Sequence, residues 1–327
     1  MKILIIGLGS MGKRRLRLIN KINSKLVIIG VDANVEKCKE AESQFNIDTF
    51  LSIDEAKEKN KDIDTVFVCT APLSHSRIIY SCLTNGWNVF TELNLVSDGY
   101  EENIKLAHKN NCVLFLSSTF LYREEINYLS KELKGHKKLN YIYHIGQYLP
   151  DWHPWESYKN FFVGEKRTNG CREIMAIEFP WLLNIFGDIV GYNVLSDKMS
   201  SLDITYADNY MIQLQHENDN KGVLIVDIVS PKAVRKLEVY GESIYLSWDG
   251  TPESLRYFDD KSKKLCNVSS FEQAERMEGY SSFVVENAYK NEIEDFFSLI
   301  VNRKTQSYGF REDFRVLELI DKIEGIK

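Results

Sequence analysis

The segment Gly7-Leu8-Gly9-Ser10-Met11-Gly12 constrains this chain more than any other. It is a G-x-G-x-x-G that follows the apolar run Lys2–Ile6 and opens an amphipathic stretch carrying Leu16, Ile19 and Ile22. Asp32 stands twenty residues after Gly12, at the end of a second apolar run over residues 26–31. In a strand–turn–helix setting the glycines differ in what they allow. Gly7 permits a tight turn, Gly9 lets the backbone approach a pyrophosphate, and Gly12 lets the helix pack closely on the strand. The helix N-terminus offers N–H groups and a partial positive charge to the phosphates. Asp32 is expected to accept hydrogen bonds from the adenosine ribose hydroxyls and to repel a 2′-phosphate, which favours NAD over NADP. The basic run Lys13-Arg14-Arg15 with Arg17 reads as a solvated helix face, with Arg14 or Arg15 as alternative phosphate contacts.

Short apolar runs at 2–6, 26–31, 65–69, 88–91 and 113–117 alternate with helical stretches at 13–21, 35–45, 76–85 and 99–110. Strands that are apolar throughout, each followed by a helix, predict a parallel sheet covered on both faces. After about residue 125 the rhythm changes to strands at 139–149, 207–217, 223–230, 234–241 and 243–248, with a hairpin around Gly241-Glu242. This half reads as a mostly antiparallel sheet with one helix near 174–186 and two closing helices near 286–301 and 312–324. In the first closing helix Ile293, Phe296, Phe297 and Ile300 recur at helical spacing and read as core. The expected fold class is α/β, with a Rossmann domain over 1–120 and an α+β domain over 121–327.

Lys and Arg number 41 against 47 Asp and Glu, a net charge of −6, so the basic footprint of a nucleic-acid partner is missing. No apolar run reaches the ~18 residues of a membrane helix, so no membrane partner is expected. The apolar start is too short for a signal peptide and has no small-residue cleavage site. The six cysteines form no C-x-x-C pair, which reads as free thiols in a reducing compartment. The expectation is a cytoplasmic globular protein.

Three further segments carry a resemblance. Cys69-Thr70-Ala71-Pro72-Leu73-Ser74-His75 resembles the T-P-x-x-x-H loop of the Gfo/Idh/MocA oxidoreductase family. Residues 83–92, ending Val89-Phe90-Thr91-Glu92, are similar to that family's A-x-x-x-G-x-H-V-x-x-E run, and residues 289–323 to its closing helices. The resemblance implies a second domain with a large open sheet, a substrate cleft between the domains, and a homodimer or homotetramer formed through that sheet. It also implies that Thr70, Ala71, Pro72 and His75 lie along the cofactor, and that Glu92 orients its nicotinamide end.

The departures are sharp. The family's E-K-P reads Glu92-Leu93-Asn94, and leucine has no proton to exchange in place of the family's acid/base lysine. The later D-x-x-x-H is replaced by Glu173-Ile174-Met175-Ala176-Ile177-Glu178, with Glu173 near the aspartate place and Ile177 or Glu178 near the histidine.

The stretch 151–174 is dense in polar and aromatic groups and resembles a branch of the family found in sugar-nucleotide and nonulosonic-acid biosynthesis. Trp152 and Trp155 are expected to stack on sugar faces, and Asp151 and Arg167 to bond hydroxyls; the alternative is an ordinary loop with buried aromatics. No metal is expected. His153 is the first acid/base candidate, since imidazole exchanges protons at neutral pH, followed by Tyr158, Glu173 and Glu178. The reading is NAD-linked redox chemistry on a sugar or sugar nucleotide. The rivals are an NAD-retaining enzyme that breaks a glycosidic bond and a non-catalytic NAD- or sugar-binding partner protein.

Overall fold

The computed structural model describes residues 1–153, 156–268, 274–277, 283–302 and 306–326. It divides into two compact units, Met1–Ser118 with Tyr289–Leu317, and Thr119–Ala288 with Glu318–Lys327.

In the first unit, β1 (Lys2–Ile6), β2 (Val27–Val31), β3 (Asp48–Phe50), β4 (Thr65–Val68), β5 (Asn88–Thr91) and β6 (Leu114–Leu116) form a parallel sheet in the order β3-β2-β1-β4-β5-β6. Helices α1 (Ser10–Ile22), α2 (Val35–Phe45), α3 (Ile53–Lys59), α4 (Pro72–Thr84) and α5 (Tyr100–Lys109) connect the strands. The order reverses between β1 and β4, and the carboxyl ends of strands beside such a reversal are where open α/β sheets bind ligands. Gly7 and Cys69 begin the two loops that leave those ends. The β3–α3 pair is not visible in the sequence, because a three-residue strand has no period to detect.

An aromatic ladder crosses β4, β5 and β6. Phe67 pairs in register with Phe90, and Phe90 with Phe115. Their rings stack with centroids 4.8 and 5.0 Å apart. Phe296 of α8 (Glu286–Asn302) stands edge-on at 5.5 Å to both Phe67 and Phe90. Ile293 and Phe296 are therefore core, and core of the first unit, to which the chain returns from Tyr289, whereas Phe297 and Ile300 are only half-buried. A single boundary at residue 120 does not anticipate that return, because a helix's pattern reveals its apolar face but not what covers it.

The second unit holds α6 (Glu124–Leu133), α7 (Gly170–Phe186) and eight strands: β7 (Asn140–Gly146), β8 (Ile189–Asp197), β9 (Asn209–His216), β10 (Lys221–Asp227), β11 (Val234–Tyr240), β12 (Tyr245–Trp248), β13 (Arg256–Asp259) and β14 (Lys264–Asn267). Their order is β14-β13-β12-β11-β7-β10-β9-β8, antiparallel except for the parallel β7–β10 pair. The β11–β12 hairpin turns at Gly241-Glu242. One face packs under α7, with Phe186 stacked on Tyr141 at 4.3 Å and Trp181 edge-on to Tyr143 at 5.4 Å. On the other, Leu195 and Met211, paired in register, are 74% and 53% exposed. Helix α9 (Phe310–Ile323) closes the chain. Among the described residues no helix is long and apolar enough to cross a membrane.

Candidate functional site

The glycine loop runs from the end of β1 into α1. Gly7 has a φ of +94°, in the left-handed region, and its N–H donates to Val31 O at 2.8 Å, tying the ends of β1 and β2 together. A Cβ on Gly12 would lie 1.9 Å from Gly7 O, so only glycine allows α1 to start here. A Cβ on Gly9 would meet nothing within 4 Å. The loop therefore offers bare backbone and open approach, and Gly9 caps α1 without any side-chain hydrogen bond. Leu8, Ser10 and Met11 complete this turn. Asp32 faces the loop: its Oδ2 accepts from Leu8 N–H at 2.8 Å and its Oδ1 from Asn34 N–H at 2.9 Å. Each oxygen keeps a further lone pair, and the side chain is half-buried, which suits a diol partner. These residues fit a dinucleotide.

The basic run does not form a solvated face. Lys13 pairs with Glu40 at the surface, but Arg14 and Arg15 are buried. Arg14 lies over the Tyr289 ring at 4.5 Å. Arg15 donates to Glu92 through Nε at 2.6 Å and Nη2 at 2.9 Å, and Nη2 also reaches Glu292 at 2.9 Å and Ser117 Oγ at 3.2 Å. Its guanidinium sits 4.5 Å over the Phe90 ring. Burial opposes the charge, yet Glu92 and Glu292 outweigh it and hold Arg15 firmly protonated. Burial pushes the Glu292 carboxyl up, against the pull of Arg15. Arg15 is thus committed inside the unit and has no reach to a phosphate. Both oxygens of Glu92 are held from beneath by Arg15, and the Cys69 thiol, kept protonated by burial and by Glu92, points at Oε1.

The loop after β4 is held from within. Ala71 caps α4 and Pro72 fills its first position, where no N–H is needed. Thr70 Oγ1 lies 2.7 Å from Ser74 Oγ. His75 is only 2% exposed, with Nε2 at 2.8 Å from Thr70 O and Nδ1 at 2.6 Å from the Asn94 carboxamide. It holds the loop rather than facing out of it. Leu93 is half-buried after Glu92.

In the second unit, the segment before α7 is a chain of short 3-10 turns. His153 is half-exposed, with Nδ1 3.1 Å from Glu156 Oε1 and its ring 4.4 Å from that of Phe161. Tyr158 Oη accepts from Asp203 N–H at 3.0 Å, and Trp152 Nε1 donates to Gln147 O at 3.1 Å. Asp151 and Arg167 are exposed. Trp155 lies outside the described residues. Helix α7 opens on Asn169, whose side chain accepts from Arg172 N–H at 2.8 Å.

The two glutamates of α7 have opposite surroundings. Glu178 is fully buried and fully bonded: Oε2 accepts from Tyr143 Oη at 2.8 Å and Trp181 Nε1 at 2.7 Å, and Oε1 pairs with Arg235. That network occupies every group a proton handler would need. Glu173 has a buried Oε2 with no hydrogen-bond partner among the described residues. Burial alone pushes its carboxyl up to about 7.

Residues 1–118 match the model of the GFO_IDH_MocA family, described as an oxidoreductase family with an NAD-binding Rossmann fold. The first unit's strand order and glycine loop agree with it.

Residues 1–118 are thus a Gfo/Idh/MocA-type NAD-binding Rossmann domain.

No curated protein matches the chain. Among solved structures it is similar to UDP-N-acetylglucosamine 3-dehydrogenase GnnA from Acidithiobacillus ferrooxidans, at 16% identity and a TM-score of 0.76 over 100% of this chain and 97% of that one. It is also similar to myo-inositol 2-dehydrogenase from Lactobacillus plantarum, at 18% identity and a TM-score of 0.77 over 100% and 96%. Levoglucosan dehydrogenase in complex with NADH gives 14% identity and a TM-score of 0.79 over 99% and 96%. At these identities the likeness is one of fold.

The sequence did not reveal Arg15 with Glu292, or Arg235 beside Glu178. A signal for the first pair existed. Tyr289, Glu292, Ile293 and Phe296 share one helix face, and a carboxylate on an apolar stripe calls for a buried cation. Arg235 gave none, since it meets Glu178 only through the β11–β7 register.

Proposed function

We propose that this protein is an NAD(H)-dependent oxidoreductase acting on a sugar or sugar nucleotide, with Glu173 as the acid/base that replaces the family lysine. The observation that carries the reading is the Glu173 carboxyl on a half-buried side chain, whose Oε2 is buried with no hydrogen-bond partner among the described residues and whose pKa desolvation raises to about 7. A general base works best when its pKa lies near the working pH, and desolvation of a lone carboxyl is how proteins reach that value. The substrate class is supported by fold neighbours named for UDP-N-acetylglucosamine, myo-inositol and levoglucosan, and by the polar and aromatic stretch before α7.

NAD, when bound, supplies the hydride acceptor. Gly7, Leu8, Gly9, Ser10, Met11 and Gly12 hold its pyrophosphate, and Asp32 its adenosine ribose. In alcohol oxidation Glu173 takes the hydroxyl proton of the carbinol as its carbon gives up hydride, leaving a ketone. In reduction it returns that proton. His153 ranks second, because its ring is half-exposed and already shared between Glu156 and Phe161. Single-turnover rates separate the two once a substrate is in hand. Glu173→Gln loses ~10²–10⁴-fold, as for a general acid/base, whereas His153→Ala changes the rate by less than about tenfold. The reverse ranking rejects the assignment.

The second reading is a non-catalytic NAD- and sugar-binding partner, favoured by Leu93 in the place of the family lysine and by Ile177 or Glu178 in the place of its later histidine. Tight NAD binding with no turnover across a sugar panel supports it. We propose further that copies of the chain associate through the open sheet face around Leu195, Met211 and Ile142; a monomeric mass in light scattering rejects that.

A further inference from the structure

A small cavity in the first unit, with polar groups on one part of a largely apolar wall, lies among α4, α5 and the segment after β5. Its volume is about 10 Å³, room for one water molecule. His75, Ser76, Asn94, Tyr100 and Asn103 line it. Two wall residues carry a buried polar atom without a partner among the described residues: Asn94, 2% exposed, and Asn103, 1% exposed. Asn94 has one carboxamide end on His75 Nδ1, and its other end, beside the Tyr100 hydroxyl, lacks the geometry of a full hydrogen bond. Asn103 donates through Nδ2 to Ser76 O at 3.1 Å and leaves Oδ1 unbonded. Each such orphan is destabilising when dry. A site of this size with two such atoms in its wall has room and partners for one water.

The imidazole fixes what Asn94 presents. Thr70 O can only accept, so His75 Nε2 carries the hydrogen that meets it at 2.8 Å. Burial pushes the His75 imidazole below its ordinary value, so the ring is neutral and Nδ1 is a bare acceptor. The Asn94 carboxamide, 2.6 Å away, must therefore offer N–H to Nδ1 and turn its oxygen to the cavity. One water then has two acceptors, Asn94 and Asn103, for its two hydrogens.

We propose that this cavity is a built single-water site, and that Asn94, seated by that water, is a positioning residue that orients His75 and through it the Thr70 carbonyl. The consequence for the cofactor rests on the reading that the Thr70 loop lies along NAD. Asn94 occupies the place of the family's E-K-P proline, which has no side chain able to do this.

The test uses the full-length protein labelled with ¹⁵N-histidine and ¹⁵N-asparagine, with the His75 signal assigned by His75→Gln. The expected result is the Nε2–H tautomer at His75 and a long-lived water exchanging magnetisation with the Asn103 side-chain amide. Asn94→Ala should then weaken NAD binding about tenfold, as expected for one well-placed hydrogen bond, while Asn94→Gln, which keeps a carboxamide, recovers part of it. An Nδ1–H tautomer in the unmodified chain, or no long-lived water beside Asn103, overturns the proposal without any variant. So does an Asn94→Ala protein that folds and binds NAD with unchanged affinity. Failure of the unmodified protein to bind NAD would instead reject the cofactor reading, with the tautomer and water still deciding the site.

Discussion

Arg15 and Glu292 stand 277 positions apart in the sequence and meet in an ion pair of 2.9 Å with neither side chain exposed. The pair fastens α8 to the helix that begins on the dinucleotide loop. Glu292 also accepts from Ser117 Oγ at 3.0 Å and Ser118 N–H at 2.7 Å, so one carboxylate ties the end of β6 to α1. Removing one partner leaves the other charge buried and uncompensated, a loss of about 3–5 kcal/mol. Arg15→Met and Glu292→Gln should both lower the urea midpoint strongly. Arg15→Lys should restore little, because an ammonium cannot span Glu92 and Glu292 with a fork's geometry. Unchanged midpoints in these variants would show that the pair stabilises nothing.

That network also marks how far the sequence could be read. The glycine loop, Asp32 and the alternating strands were legible because each depends on neighbours within about thirty residues, where spacing encodes geometry. The fate of Arg14 and Arg15 was not, since what buries them arrives from residue 289 onward. The same holds on α7. Glu173 and Glu178 look alike as letters five apart, and only the β7 and β11 partners of Glu178, Tyr143 and Arg235, tell them apart. The short β3 and the strands β13 and β14 were lost for a simpler reason: three or four residues give no usable period.

Glu173 also predicts a pH dependence of stability. Its folded-state value of about 7 lies above the ordinary 4.5. Below 4.5 the carboxyl is protonated in both states and its burial carries no charge penalty. As pH rises through about 7 the folded chain must ionise a desolvated group that the unfolded chain ionised long before, so stability is lost across that window. Glu173→Gln should therefore gain on the unmodified protein in melting temperature as pH is raised from about 5 to about 8. A constant difference over that range would contradict the desolvated carboxyl.

Asp32 predicts the choice of dinucleotide. Its carboxylate faces the glycine loop through Leu8 N–H, where a 2′-phosphate would bring like charge against it. NAD should bind more tightly than NADP by titration calorimetry, and Asp32→Ala should narrow the gap. Gly9→Val serves as the control: its side chain would fill the open approach and abolish binding of both, while the fold stays cooperative. Preference for NADP in the unmodified protein would overturn the role of Asp32.

We propose that Glu173 on α7 does the work of the family lysine whose place Leu93 takes. The most direct measurement is the pH profile of NADH formation from NAD with a panel of UDP-sugars, inositols and free sugars, comparing the unmodified protein with Glu173→Gln. A sugar should be oxidised with a rate that rises through a pKa of about 7, and Glu173→Gln should flatten this limb and lower the rate ~10²–10⁴-fold. Turnover with the same limb intact in Glu173→Gln, or tight NAD binding with no NADH from any sugar, would contradict it.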